Sequence, residues 1–316
     1  MSAKHDMLIL MTALTALISG AACAGNIPAP WKIRAGWLIE TENKEGQADK
    51  DGMWEPTLWM DFTRDRWSFY GSFYQETHKT DYSEALSRGN WFNQYEFDAR
   101  YLVLDEKAYA LGLTFHFRNY TYIYHDNPAL TQSGGYNTQR YAPQIDWRVN
   151  FTDKFKTTGW LALYNYANNT NENGIANKEL KGEGGLEYRV TPIFAARLNY
   201  FIDRGWNTGG EKYGEFCRSQ LRPYFPVTLS LFDAGTTTVT PYGRFTLNTW
   251  FENTSRNQRE NATESRWGIF IEQKLSPQLI LTLDYAYELQ TRHNIAPGTQ
   301  GKTKYHKTGI GMTYNF

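Results

Sequence analysis

Cysteine is nearly absent from this chain, long apolar runs are confined to its first residues, and neither sign of charge is in excess. Of 316 residues only Cys23 and Cys217 are cysteines. Cys23 falls in an N-terminal segment that reads as removable, so Cys217 is left alone and no internal disulfide can form. That excludes a secreted fold stapled by disulfides. Lys plus Arg and Asp plus Glu are each 33, a formal net charge of zero. Nucleic acid or an anionic lipid surface would call for a basic excess, and neither is expected as a partner. Past residue 25 there is no apolar stretch of about 18 residues or more, which excludes a transmembrane helix.

Rings, by contrast, are abundant. Aromatic residues make up 16% of the chain although its mean hydropathy is −0.62. The N-terminus reads as an export signal. Lys4 supplies a positive region, residues 7–22 (MLILMTALTALISGAA) an apolar one, and ACA at 22–24 a small-x-small cleavage site. Residues 1–24 are therefore expected to be removed, and residues 25–316 to form one domain.

Beyond the signal, apolar and polar residues alternate with period two down the whole chain. In 140–151, Tyr141, Ile145, Trp147, Val149 and Phe151 share one face, and Arg140, Gln144, Asp146, Arg148 and Asn150 the other. The terminal stretch KTGIGMTYNF does the same, with Ile310, Met312, Tyr314 and Phe316 on the oily side. Linkers alternate as well. Short ones (63–66, 104–107, 152–154, 191–192, 275–278) are interleaved with long polar ones (41–55, 75–91, 121–139, 168–178, 204–214, 251–265, 291–304). Short turns on one rim and long loops on the other are the plan of an outer-membrane barrel, where closure alone satisfies every backbone group in lipid.

The pattern thus predicts an all-β, transmembrane, antiparallel up-and-down barrel with short periplasmic turns and long extracellular loops. Its 14 strands lie near 31–40, 56–63, 67–75, 92–103, 108–120, 140–151, 156–167, 179–190, 193–203, 215–225, 239–250, 266–274, 279–290 and 305–316. Residues 226–238 read as a long periplasmic turn or an extra half-strand. Trp31, Trp37, Trp67, Tyr95, Trp147, Tyr188, Trp267, Tyr287 and Tyr305, near strand ends, are expected at the two membrane interfaces.

A barrel of this size is too wide to fill with side chains, so its lumen should hold water. The inward parity predicts a pore lining of Arg34, Asp61, Glu96, Asp98, Arg100, Arg118, Asp146, Arg148, Glu187, Arg189, Arg197, Arg218, Arg222, Arg244, Glu272, Asp284 and Glu288. So many charges would be costly in a dry interior. Their mixed signs predict weak ion selectivity. No metal constellation, phosphate loop or cofactor motif appears; the glycines of KGEGG (181–185) sit within a strand and read as barrel curvature.

An ordered set of short motifs carries a resemblance. FYQE (73–76), DYS (81–83), RGNWF (88–92), FRNY (117–120), GWLALY (159–164), RLNYF (197–201), GEF (214–216), VTPYGR (239–244), LDYAYE (283–288) and the terminal YNF are similar to the outer membrane porin G (OmpG) family, from about residue 31 to the end. The resemblance implies a monomeric channel in outer-membrane lipid for small hydrophilic solutes, ions and oligosaccharides. It also implies an outer loop, here 251–265, that folds over the pore. In the family pattern two histidines on facing strand rims repel in acid and release that loop. This chain has a near match in His293, offset by one residue, but NATESRWG on the facing strand has none, Ala262 and Thr263 standing there. Glu264 beside them, and His306 across the next strand pair, are the remaining candidates for gating.

Two other readings stand beside the open pore. Trp59, Tyr70, Tyr74, Tyr120 and Tyr242 on the inward parity would suit a more specific oligosaccharide channel, with rings along the wall. His125–Asp126, with His78 and Asp81, would suit an outer-membrane hydrolase, although a His–Asp dipeptide in a polar loop is usually just solvated.

Overall fold

The computed structural model describes residues 30–45, 53–78, 91–124, 134–167, 176–208, 214–232, 235–253, 258–294 and 301–316. Fifteen strands follow one another: β1 (Lys32–Lys44), β2 (Met53–Arg64), β3 (Trp67–His78), β4 (Trp91–Asp105), β5 (Tyr109–Tyr124), β6 (Gly134–Asn150), β7 (Phe155–Ala167), β8 (Lys178–Arg189), β9 (Ala195–Trp206), β10 (Phe216–Tyr224), β11 (Val227–Phe232), β12 (Gly235–Asn253), β13 (Gln258–Lys274), β14 (Leu279–His293) and β15 (Lys302–Asn315). Each pairs antiparallel with its sequence neighbours, except that β10 and β11 do not pair with each other. β1 pairs with β15 and β10 with β12, so the sheet closes on itself.

The ring has 14 staves because β10 and β11 are one strand, interrupted at Phe225–Pro226. Tyr224 pairs with Tyr242 and Val227 with Val239, the same register carried across the break. Pro226 has no N–H to give to a ladder. The break is held instead by Phe225 N–H donating to the Pro241 carbonyl at 2.9 Å and by Ala195 N–H donating to that of Pro226 at 3.1 Å. Residues 226–238 are therefore a hairpin continuing β10 and opening β12; the half-strand expectation holds and the long turn does not.

On the short-turn rim the connections are tight. Arg64 pairs with Trp67 across two residues, and Asp65 takes the left-handed φ of 53° that the turn requires. Aspartate tolerates that conformation better than most residues. On the opposite rim the strands run well past their expected ends. β12 and β13 stay paired out to Asn253 and Gln258. The segment 251–265, expected as a pore-covering loop, is thus mostly ladder, leaving 254–257 between the strands.

Two faces with opposite surroundings result. The outer one exposes Leu113, Phe115, Leu186, Leu198, Leu283 and Ile310, an apolar band that would be unfavourable in water and suits hydrocarbon. The inner one carries the charges, and its buried hydrophobic cluster is small: Ala142, Ala162 and Tyr164, with Trp160 and Tyr166 packed against them.

Candidate pore lining

The inner face is identified by contacts that skip a strand. Arg100 on β4 reaches over β5 to Asp146 on β6, with Nε and Nη2 at 2.8 and 2.5 Å from its two carboxylate oxygens. The bridge passes above Gly112, where an added Cβ would collide with the Asp146 carboxylate. Tyr242 on β12 likewise reaches over Gly268 of β13 to donate its hydroxyl to Asp284 on β14 at 3.1 Å. On a concave wall side chains converge, and at these two crossings a glycine on the intervening strand leaves the room.

Cross-strand register then places every predicted lining residue on that face. Arg34 pairs with Asp61, which its Nε meets at 2.9 Å. Glu96 takes Arg118 Nη2 at 2.5 Å, and Asp98 lies 2.6 Å from His116 Nδ1. Glu187 binds Lys156 at 2.9 Å, Arg222 binds Glu183 at 2.7 Å and Arg266 binds Glu288 at 2.5 Å. Arg218 stands 3.7 Å from Glu264. Arg148 sits at the short-turn rim, where it donates to the Glu106 carbonyl at 3.3 Å; Arg189 ends β8 and Glu272 lies near the end of β13 on the same rim. Arg197 and Arg244 lie against rings, 4.3 Å from the centroid of Tyr224 and 5.8 Å from that of Tyr242.

The register adds members the sequence reading did not single out, although their parity marked them. Glu183, inside the glycine-rich KGEGG, is a hub that also accepts Asn199 Nδ2 at 2.5 Å and the Tyr224 hydroxyl at 3.4 Å. Arg140 and Glu179 form a fully buried pair at 3.2 Å, across β7. Among the described residues Glu96, Asp98 and His116 hold ligating atoms within 4.8 Å of one another. Arg118 and the imidazole already satisfy those carboxylates, so the group reads as a hydrogen-bonded cluster.

The three gating candidates do not meet. Glu264 faces inward and is buried, accepting from Gln220 and Gln290 at 3.1 and 3.2 Å. His293 pairs with Asn261 on the outer parity and is exposed. His306 is also on the outer face, its Nδ1 3.0 Å from the Tyr285 hydroxyl and its ring against Tyr287. Tyr305, expected at the interface, falls instead on the inner parity opposite Glu288. Trp59, Tyr70, Tyr74, Tyr120 and Tyr242 share that parity, and Trp59 stacks on Tyr70 at 6.4 Å. His125, Asp126 and Asp81 lie outside the described residues.

A closed antiparallel ring with an apolar outside and a charged, water-facing inside defines a β-barrel membrane channel. The comparisons agree. The family model for outer membrane protein G (OmpG) matches residues 28–314. Outer membrane porin G of Escherichia coli (strain K12) is 34% identical over 309 residues, 96% of this chain and 98% of that protein. The chain belongs to the OmpG family of the outer membrane. Among solved structures, the CymD monoaromatic hydrocarbon channel superposes with a TM-score of 0.55 over 90% of this chain and 88% of its own, at 11% identity, a likeness of fold.

Proposed function

We propose that the chain is a monomeric outer-membrane porin whose water-filled lumen passes small hydrophilic solutes, ions and oligosaccharides by diffusion. One observation carries this reading. A cavity of about 640 Å³ is lined on one side by Arg34, Asp61 and Tyr70 and on the other by Glu183, Arg197 and Asn199. β1–β3 and β8–β9 stand about half a turn apart in the ring, so this cavity lies across the lumen, and its walls are mainly charged and polar side chains, the ion pairs Arg34–Asp61 and Arg100–Asp146 among them. Such half-exposed pairs keep water beside them and add little stability each. Residues 1–24 serve as the cleaved export signal, 25–316 as the barrel, and the predicted lining residues face the solute path. The family and the lumen support a channel rather than a catalyst.

Refolded protein in planar bilayers tests it. Stable conductance that malto-oligosaccharides partly and reversibly block is expected. A protein that inserts without conducting, or that hydrolyses peptides or phospholipids instead, would overturn the reading. An oligosaccharide-specific channel is the alternative that Trp59, Tyr70 and Tyr74 favour; it would show saturable sugar flux at low solute concentration.

A further inference from the structure

The inner face holds one arrangement that strand pairing should avoid. Leu221 pairs with Phe245 and Tyr224 with Tyr242, which sets Arg222 opposite Arg244. Arg244 in turn pairs directly with Arg266. Three arginines, from β10, β12 and β13, thus stand side by side, and like charges at directly opposed positions destabilise a sheet. The outer two are neutralised sideways, Arg222 by Glu183 at 2.7 Å and Arg266 by Glu288 at 2.5 Å. Arg244, between them, has no ion pair among the described residues, and its Nε is buried without a hydrogen-bond partner. Asp284, two strands away, accepts the Tyr242 hydroxyl, and together with Glu40 it acts on Arg244 only through space, without an ion pair among the described residues.

A ring holds Arg244 where a carboxylate would be expected. Its guanidinium is 5.8 Å from the Tyr242 centroid, a contact that orients the cation without cancelling its charge. Arg197 repeats the arrangement over Tyr224, again with an unpartnered, buried Nε. The two tyrosines stack with centroids 6.2 Å apart, joining both arginines into one site. The geometry points to an anion-binding station in the lumen, with Arg244 at its centre and Arg197 beside it, that takes the carboxylate or phosphate of a hydrophilic solute. Planar guanidinium forks match both groups, whereas a neutral sugar leaves the repulsion in place.

The inference rests on the pore reading and narrows its solutes. Single-channel currents of the refolded protein are recorded with trigalacturonate, glucose 6-phosphate or neutral maltotriose. The anionic solutes should interrupt the current at concentrations about tenfold below maltotriose, the worth of one charge-assisted hydrogen bond. Arg244→Gln should abolish that difference and Arg244→Lys keep part of it. Block by only one of the two anions still supports the station and assigns carboxylate or phosphate to it. Equal block by all three solutes, or a preference that survives Arg244→Gln, overturns the station while conductance leaves the porin reading intact. A wild type that inserts but never conducts overturns both. Because Arg244→Gln removes a like-charge contact, its folded band on heated gels should persist to the same or a higher temperature. A lower one would make Arg244 a structural residue and refute the proposal.

Discussion

Odd or even position along a strand decides whether a side chain meets the lumen or the lipid. Cys217 shows this. Arg218 beside it pairs with Asp203 on the inner face, so Cys217 points outward, opposite Arg204 and Trp250. Thiol reagents should label it from the membrane side or the rim, and a bulky hydrophilic reagent should leave conductance unchanged. Block of the current by that reagent would mean the strand is slipped by one residue. Parity of this kind was legible in the sequence along the strands, although Tyr305, expected at the interface, shares the inner parity. Partnership was not: Arg140 and Glu179 were both readable as inward, yet no pattern within one strand encodes a partner two strands away. Their side chains are each about 4% exposed, and Arg140 also lies 4.0 Å from the Tyr164 ring centroid. Glu179→Gln would strand a buried cation and should cost about 3–5 kcal/mol. Urea unfolding in detergent, followed by tryptophan fluorescence, reads this. An unchanged midpoint would show that water reaches the pair.

Strand existence was legible from alternation, and strand ends on the long-connection rim were not. Alternation records a difference between two environments, and above the lipid both faces meet water. In β13, Arg259, Asn261 and Thr263 occupy outer positions with no apolar residue among them, so the ladder there carries no period-two signal. The amides of 259–265 should exchange slowly with deuterium, at rates near those of 266–274; rapid exchange would return the segment to a loop. The ladder also bears on gating. For acid to unpair these strand ends, two cations must face each other across the β13–β14 pair, and His293 meets Asn261 there. Glu264 points into the lumen and His306 sits against Tyr285 and Tyr287, so neither supplies the missing charge. Open and closed populations should therefore change much less between about pH 7 and pH 5 than a histidine pair would allow. Full acid closure abolished by His293→Ala would overturn this.

At the scale of the molecule, ring size and the apolar band determine how the protein sits and conducts. The ladder is continuous through β1–β15 and β10–β12, so one chain satisfies its own backbone and needs no second copy to close an edge. The outer apolar residues come from all around the ring, with Leu113 on β5, Leu161 on β7, Leu198 on β9 and Ile310 on β15. Among the described residues, then, the sides of the ring that carry these strands present apolar side chains that can face lipid. Inside, Arg34–Asp61, Arg100–Asp146, Lys156–Glu187, Arg222–Glu183 and Arg266–Glu288 spread both signs around the wall. Paired charges leave a weak net field for monovalent ions, even with one anion station present, because bulk selectivity follows the sum over the lumen. Each insertion into a bilayer should give one conductance level that closes in one step, with a reversal potential near zero across a potassium chloride gradient. Closure in three equal steps would show a trimer, and a large reversal potential of either sign would show that the wall charges do not cancel.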